Sequence, residues 1–176
     1  QSAVDYNNAD TKLGSAYAAD LQARGMLEGL KSTPKLDACL EYIEGVLDEH
    51  PDNKVVLFSF FKKNLALIKE ATKDIADGVL FTGDMNADER DEAKQKFSTD
   101  PKCRLFLSSD AGGYGVDLPM ANYLISYDLP WSSGKLEQRE ARIIRLSSEF
   151  PHVTIATFVM QGSIEERQYD MLQMKK

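Results

Sequence analysis

The stretch Arg104-Leu105-Phe106-Leu107-Ser108 runs directly into Ser109-Asp110-Ala111-Gly112-Gly113-Tyr114-Gly115-Val116-Asp117-Leu118, and this junction decides the fold. A short, unbroken apolar run that ends in a glycine-rich turn reads as a strand covered on both faces, as in a parallel sheet. Gly112, Gly113 and Gly115 let the backbone turn sharply and come close to a ligand. Working outward, similar runs lie at Lys54–Phe60, Gly78–Phe81, Tyr123–Tyr127 and Val153–Phe158. Helical patterns separate them at Lys62–Ile75, Ala87–Phe97 and Leu136–Leu146, with a last one at Ile164–Met174. An earlier helix opens at Ser32-Thr33-Pro34, carries Leu36, Leu40, Ile43 and Leu47 at three- and four-residue steps, and stops at His50-Pro51-Asp52-Asn53. Alternating strands and helices imply right-handed crossovers and a doubly wound α/β domain, with a mainly parallel sheet and helices on both faces. Residues 1–33 carry small and apolar residues at helical spacing and read as an N-terminal helical edge or linker, leaving 34–176 as the domain proper.

At 176 residues the chain suits one domain with a sizeable core, and its 43% hydrophobic content is that of a soluble globule. No apolar run approaches the roughly 18 residues that span a bilayer, and the polar start lacks the regions of a signal peptide. A cytoplasmic or nuclear location is therefore expected, without a membrane partner. Gln1 in place of an initiator Met suggests a fragment or a processed product. Cys39 and Cys103 are read as packed apolar residues, and His50 and His152 have no Cys or His at ligand spacing, so no metal site is expected. A net charge of −7 argues against a protein that grips nucleic acid over its whole surface. It leaves room for a narrow track of backbone amides, hydroxyls and a few cations.

In an open α/β sheet, ligands bind beyond the carboxyl ends of the strands. The candidate motifs fall there: Ser59-Phe60-Phe61, Thr82-Gly83-Asp84, Ser108 to Gly115, and Asp128 to Trp131. Further on, Gln138-Arg139-Glu140-Ala141-Arg142-Ile143-Ile144-Arg145 sets two guanidiniums three residues apart on one helical face. Arginine cannot lose its proton and clamps two oxygens at once, which suits a transferring phosphoryl group. No G-x-x-x-x-G-K-[ST] loop occurs, since Leu129 stands where its first glycine belongs before Gly134-Lys135. Asp48-Glu49-His50 and Asp91-Glu92-Ala93-Lys94 imitate a magnesium-binding acidic box, but neither follows a buried strand. The chain reads as half of an ATPase.

Asp128, Trp131, Gln138, Arg142 and Arg145 keep one spacing, Ser108 to Leu118 follows Ser-[Ser/Thr]-x-Ala-Gly-Gly-x-Gly-[apolar]-[Asn/Asp]-Leu, and Gly162-Ser163-Ile164-Glu165-Glu166 follows the last strand. Together, over about Pro34 to Lys176, this order resembles the second RecA-like lobe, the helicase C-terminal domain, of superfamily-two helicase-like ATPases. Within them it resembles the Snf-type translocases on double-stranded DNA. Two departures concern the subfamily: Leu146-Ser147-Ser148 where the family has a Gly-Gln pair, and Ala141 where other branches have Gly.

The resemblance implies a lobe that completes an ATP site with the N-terminal RecA-like lobe of the same parent protein, which would bind most of the ATP and Mg²⁺. Arg142 and Arg145 would be the catalytic arginines, with Gly115, Asp117 and Gln138 towards the nucleotide. Ser59, Lys62, Gly83, Arg90, Ser109 and Gly112 would line the phosphate backbone of duplex DNA. Trp131, read by itself, packs against the lobe as a wedge, with stacking on a base as the alternative. Two other readings remain: a superfamily-two helicase that unwinds DNA or RNA strands, and a non-catalytic module that binds nucleic acid or protein.

Overall fold

Val55–Phe58 (β1) is the strand on which the sheet is built, flanked on both sides by strands that come later in the chain. The computed structural model describes residues 33–110, 116–144 and 149–174. In chain order the elements are α1 (Pro34–Glu49), β1, α2 (Lys62–Ala71), β2 (Asp77–Phe81), α3 (Ala87–Thr99), β3 (Cys103–Ser108), β4 (Tyr123–Ser126), α4 (Ser133–Glu140), β5 (Thr154–Thr157) and α5 (Ile164–Gln173). All strand pairs are parallel, in the order β2-β3-β1-β4-β5. Lys35–Lys176 forms one compact unit. The segment expected as a helical edge over 1–33 lies almost wholly outside the described residues.

Strand residues alternate between two cores, because successive side chains leave a strand on opposite faces. Val55, Leu57, Leu105, Leu107 and Ile125 pack on α1 and α2 through Cys39, Ile43, Leu65 and Ile68. Val56, Phe58, Phe81, Phe106 and Leu124 meet Phe97 of α3 together with Val116, Leu118 and Ile143. Phe106 is fully buried, its ring 5.0 Å from Phe81 and 5.2 Å from Phe97. Covering on both faces explains why β1 and β3 read as unbroken apolar runs. The edge strand β5 departs from this expectation: Thr154 and Ile155 are exposed, Ile155 by 36%.

Local chemistry fixes the helix ends. Pro34 starts α1, where its fixed φ suits the first turn and its missing N–H costs nothing. Asn86 caps α3 in a reciprocal box with Glu89, each side chain accepting the other's backbone N–H. Helix α1 has no basic residue in its last turn. Arg104 supplies the charge from β3, donating to the carbonyls of Leu47 (2.8 Å), His50 (2.6 Å) and Asn53 (2.9 Å). Beside it, Asn122 donates to Asn53 and accepts the Lys54 N–H, which ties the amino ends of β1 and β4 together.

The chain leaves β1 towards β2 but leaves β4 towards β5, so these adjacent strands send their connections in opposite directions. The crevice beyond their carboxyl ends is where such sheets hold ligands. Helix α4 ends at Glu140, six residues before the expected end at Leu146, because Ala141–Ile143 tighten into a turn. Arg142 therefore stands in a turn rather than on the helix, while Arg145 lies outside the described residues.

Candidate nucleotide and DNA interface

Ser59 leaves β1 fully buried and donates its hydroxyl to Asp128 Oδ2 at 2.5 Å, across the crevice from β4. The same carboxylate oxygen accepts the Phe60 N–H at 3.1 Å, which peels Phe60 off the sheet and ends β1 earlier than the apolar run suggests. Burial pushes the Asp128 carboxyl above its ordinary range, against the pull of Ser59, Lys35 and the Phe60 amide. Lys35 Nζ, 3.9 Å from Asp128 Oδ1, makes its close ion pair with Glu165 at 2.6 Å and lies 4.8 Å from the Tyr127 ring centroid.

The Gly162–Glu166 motif gains a physical meaning at this point. Gly162 has φ +72°, open to glycine at no steric cost, and Ser163 caps α5 through the Glu165 N–H. Glu166 accepts the Gly162 N–H, and Glu165 accepts both the Met160 N–H and Lys35. The motif thus anchors α5 to the start of α1.

Arg139 is the best-tied side chain of the site, 3% exposed. Its guanidinium forks onto Asp110 with Nε to Oδ1 at 2.6 Å and Nη2 to Oδ2 at 2.9 Å, while Nη1 donates to the Asp128 carbonyl. Gln138, the preceding residue of α4, is exposed, and Arg142 is half-buried with its carbonyl accepting the Leu118 N–H at 2.9 Å. Asp117 is exposed beside it, and Trp131 is half-buried.

A second group gathers on the loop after β2. Lys62 pairs with Asp84 at 2.9 Å, and Thr82 donates to the same carboxylate oxygen, which together hold Asp84 down at about 2. Arg90 donates to the Gly83 carbonyl at 3.0 Å, and its Nε is buried without a hydrogen-bond partner.

The structure thus brings Lys62, Gly83 and Arg90 together at one loop, and ties the Arg142 backbone to Leu118, next to Asp117. Gly112, Gly115 and Arg145 lie outside the described residues. Ser59 and Ser109 depart from the sequence expectation: they stand at the strand ends, yet are 0% and 5% exposed, and Ser59 spends its proton on Asp128. Lys35 was not named from sequence, and Asp110, Arg139 and Glu165 were named only as members of longer motifs, without roles of their own. Only Arg139 carried a local signal, because Leu136, Arg139 and Ile143 fall at one helical face and a cation there demands a buried partner.

Among the described residues no group of three or more His, Cys, Asp or Glu is arranged to hold a metal ion. Cys39 and Cys103 are free and buried, and burial raises the Cys39 thiol to about 12. No described helix is long and apolar enough to cross a membrane.

Comparison with known proteins places this geometry. Residues 34–147 match the helicase conserved C-terminal domain. The chain is 28% identical over 152 residues to the ATP-dependent helicase ULS1 of Saccharomyces cerevisiae, covering 85% of this chain but only 9% of that protein's length. The C-terminal part of the Fun30 ATPase domain superposes with a TM-score of 0.74 at 23% identity, over 92% of this chain and 53% of that one. The Sulfolobus solfataricus SWI2/SNF2 ATPase C-terminal domain gives 0.65 at 25% identity, over 85% and 61%. A core of such an ATPase solved in complex with double-stranded DNA gives 0.72 at 24%, over 96% and 36%. With five parallel strands among the described residues in a RecA-like arrangement, the chain belongs to the helicase C-terminal domain family.

Proposed function

We propose that residues 34–176 are the second motor lobe of an ATP-dependent translocase on double-stranded DNA, paired with an N-terminal RecA-like lobe that carries the phosphate loop. Arg142 carries this reading: half-buried in the turn after α4, it has its backbone fixed by Leu118 beside the segment that follows β3. A backbone fixed in this way aims the side chain from a constant origin, and its guanidinium would meet charge developing on the γ-phosphate oxygens. Arg145 is its partner, and Gln138 and Asp117, both exposed, with Gly115 complete the nucleotide rim of this lobe. Magnesium, when bound with ATP on the first lobe, neutralises phosphate charge. This lobe contributes arginine, orientation and the exclusion of water.

Lys62, Gly83, Arg90 and Gly112 form the track for a phosphate backbone, with Ser59 and Ser109 supporting it from behind. Lys62 is already paired with Asp84, so only few phosphates are neutralised and the salt dependence of binding is shallow. Similarity to a Snf-type ATPase solved with double-stranded DNA supports the duplex as substrate over a strand to be unwound.

The test uses the full-length protein. Arg142→Ala lowers kcat by about 10³-fold while nucleotide binding persists, and Arg142→Lys rescues poorly because a point charge does not replace the fork. Duplexes of unrelated sequence stimulate turnover equally. Near-normal turnover by Arg142→Ala refutes the arginine role, and stimulation by single strands alone refutes the duplex assignment.

A further inference from the structure

A groove of about 540 Å³ runs along α1 at the amino ends of the strands, away from the crevice that holds the nucleotide motifs. Glu41, Tyr42, Gly45 and Glu49 line one wall at helical spacing, and Tyr123 and Thr154, the first residues of β4 and β5, line the other. Its rim is acidic. Helix α1 carries Asp37, Glu41, Glu44, Asp48 and Glu49 against a single cation, Lys35, which is already paired with Glu165 at 2.6 Å. Among the described residues Glu41 has no ion-pair partner, and Glu49 accepts the Tyr123 hydroxyl at 3.2 Å. The groove borders the outermost strand of the sheet. Thr154 and Phe158 donate their N–H groups to Asn122 (2.8 Å) and Ser126 (3.1 Å), so alternation turns the N–H and C=O of Ile155 and Thr157 outward, away from β4. In this register Thr154 and Ala156 share the α1 face with Tyr123 and Ile125, while Ile155 lies exposed on the other face.

We propose that the β5 edge and the acidic groove together bind an extended, basic peptide segment of a partner protein by strand addition. The peptide backbone pairs with the outward groups of Ile155 and Thr157, and side chains set its identity. Successive side chains of an added strand leave on opposite faces. One set therefore falls over the groove, where Arg or Lys lays its aliphatic stem along Tyr42 and brings its charge to Glu41 and Glu49. The other set falls beside Ile155 and is apolar and β-branched. The segment thus alternates basic and apolar residues. DNA is the wrong occupant, because its phosphates carry the sign of the rim, and a second copy of this chain brings another acidic groove to the same edge. A peptide bound here leaves the opposite ends of the strands open, so the proposal adds a partner to the motor reading without depending on it.

The experiment follows the fluorescence anisotropy of a labelled Arg-Val-Arg-Val-Arg-Val-Arg peptide added to the 176-residue chain, with the melting temperature of each variant. Saturable binding with Kd below about 100 µM is expected. A block isomer, Val-Val-Val-Arg-Arg-Arg-Arg, should bind at least about tenfold more weakly, because it has the charge without the alternation. N-methylation of one alternate set of peptide amides should weaken binding as much, and of the other set should not, since only one set faces β5. Glu41→Gln with Glu49→Gln should cost about tenfold at unchanged Tm. Gly45→Leu, whose added Cβ meets no atom within 4 Å, fills the groove without disturbing the fold and should cost about as much. Amide exchange at Ile155 and Thr157 should slow when the peptide binds. Absence of saturable binding, equal affinity for the block isomer, indifference to Gly45→Leu, or unchanged exchange at Ile155 and Thr157 each overturns the proposal. So does dimerisation of the chain through β5 without peptide, which would assign the edge to a second copy.

Discussion

Replacing Arg104 by Ala should destabilise the lobe without touching its chemistry. The guanidinium closes the carboxyl end of α1 from a neighbouring strand, with partly buried bonds to the Leu47 and Asn53 carbonyls and a third, exposed bond to His50. Each partly buried bond contributes about 1 kcal/mol net, and the exposed one is readily replaced by water. A cation at a helix carboxyl end adds roughly 0.5 kcal/mol. Burial opposes these gains by disfavouring the charged form, so the expected loss is about 2 kcal/mol. For a chain of this size that lowers Tm by about 4–8 °C. Urea denaturation of the 176-residue chain measures it directly, with the slope unchanged and the midpoint reduced. Arg104→Lys should recover less than half, since an ammonium does not span carbonyls at three positions. Arg104 lies at the opposite end of β3 from Ser109, so DNA-stimulated turnover of the full-length protein should persist. A loss below about 0.5 kcal/mol would refute the reasoning, because water would then satisfy α1 as well as the guanidinium does.

Two further outcomes follow from the same geometry. The isolated chain, lacking a phosphate loop, should bind nucleotide weakly and hydrolyse none, and robust DNA-stimulated turnover by it would sink the half-motor assignment. Asp84 should titrate near about 2 by NMR, and Lys62→Met should bring it back towards the usual carboxylate range. A depressed folded-state value means that its stabilising effect is complete above the ordinary carboxylate pKa and disappears as pH falls towards 2. Raised salt should weaken this exposed Lys62–Asp84 pair, and an unshifted Asp84 at low salt would show that the pair does not form.

The sheet was legible because burial on both faces leaves an unbroken apolar signature, as in Val55–Phe58 and in Leu105 to Leu107. Edge strand β5 gives the same local pattern while lying half open, since sequence alone does not say which strand is outermost. The apolar spacing through Ile143 suggested a longer α4, but that spacing persists through the turn that ends it. At the site, residue types and strand ends were readable, whereas exposure was not: Ser59 is drawn inward by Asp128, 69 positions away. Lys35 was silent for a similar reason, its carboxylate partner Glu165 lying 130 positions along the chain. Such pairings are properties of the folded topology, and no local window contains them.

The central position of β1 has a consequence for synthesis. Among the described strands it leaves the ribosome first, yet its partners are Leu105 to Ser108 on one side and Tyr123 to Ser126 on the other. Val55 pairs with Tyr123, so 68 further residues must be translated before the second edge closes. At roughly 5–20 residues per second, that is about 3–14 seconds during which a four-residue, wholly apolar strand lacks one or both of its native neighbours. The heart of the finished motor lobe is thus its most adhesive part while nascent, and β3 and β4 act on it as late-arriving shields against pairing with other chains.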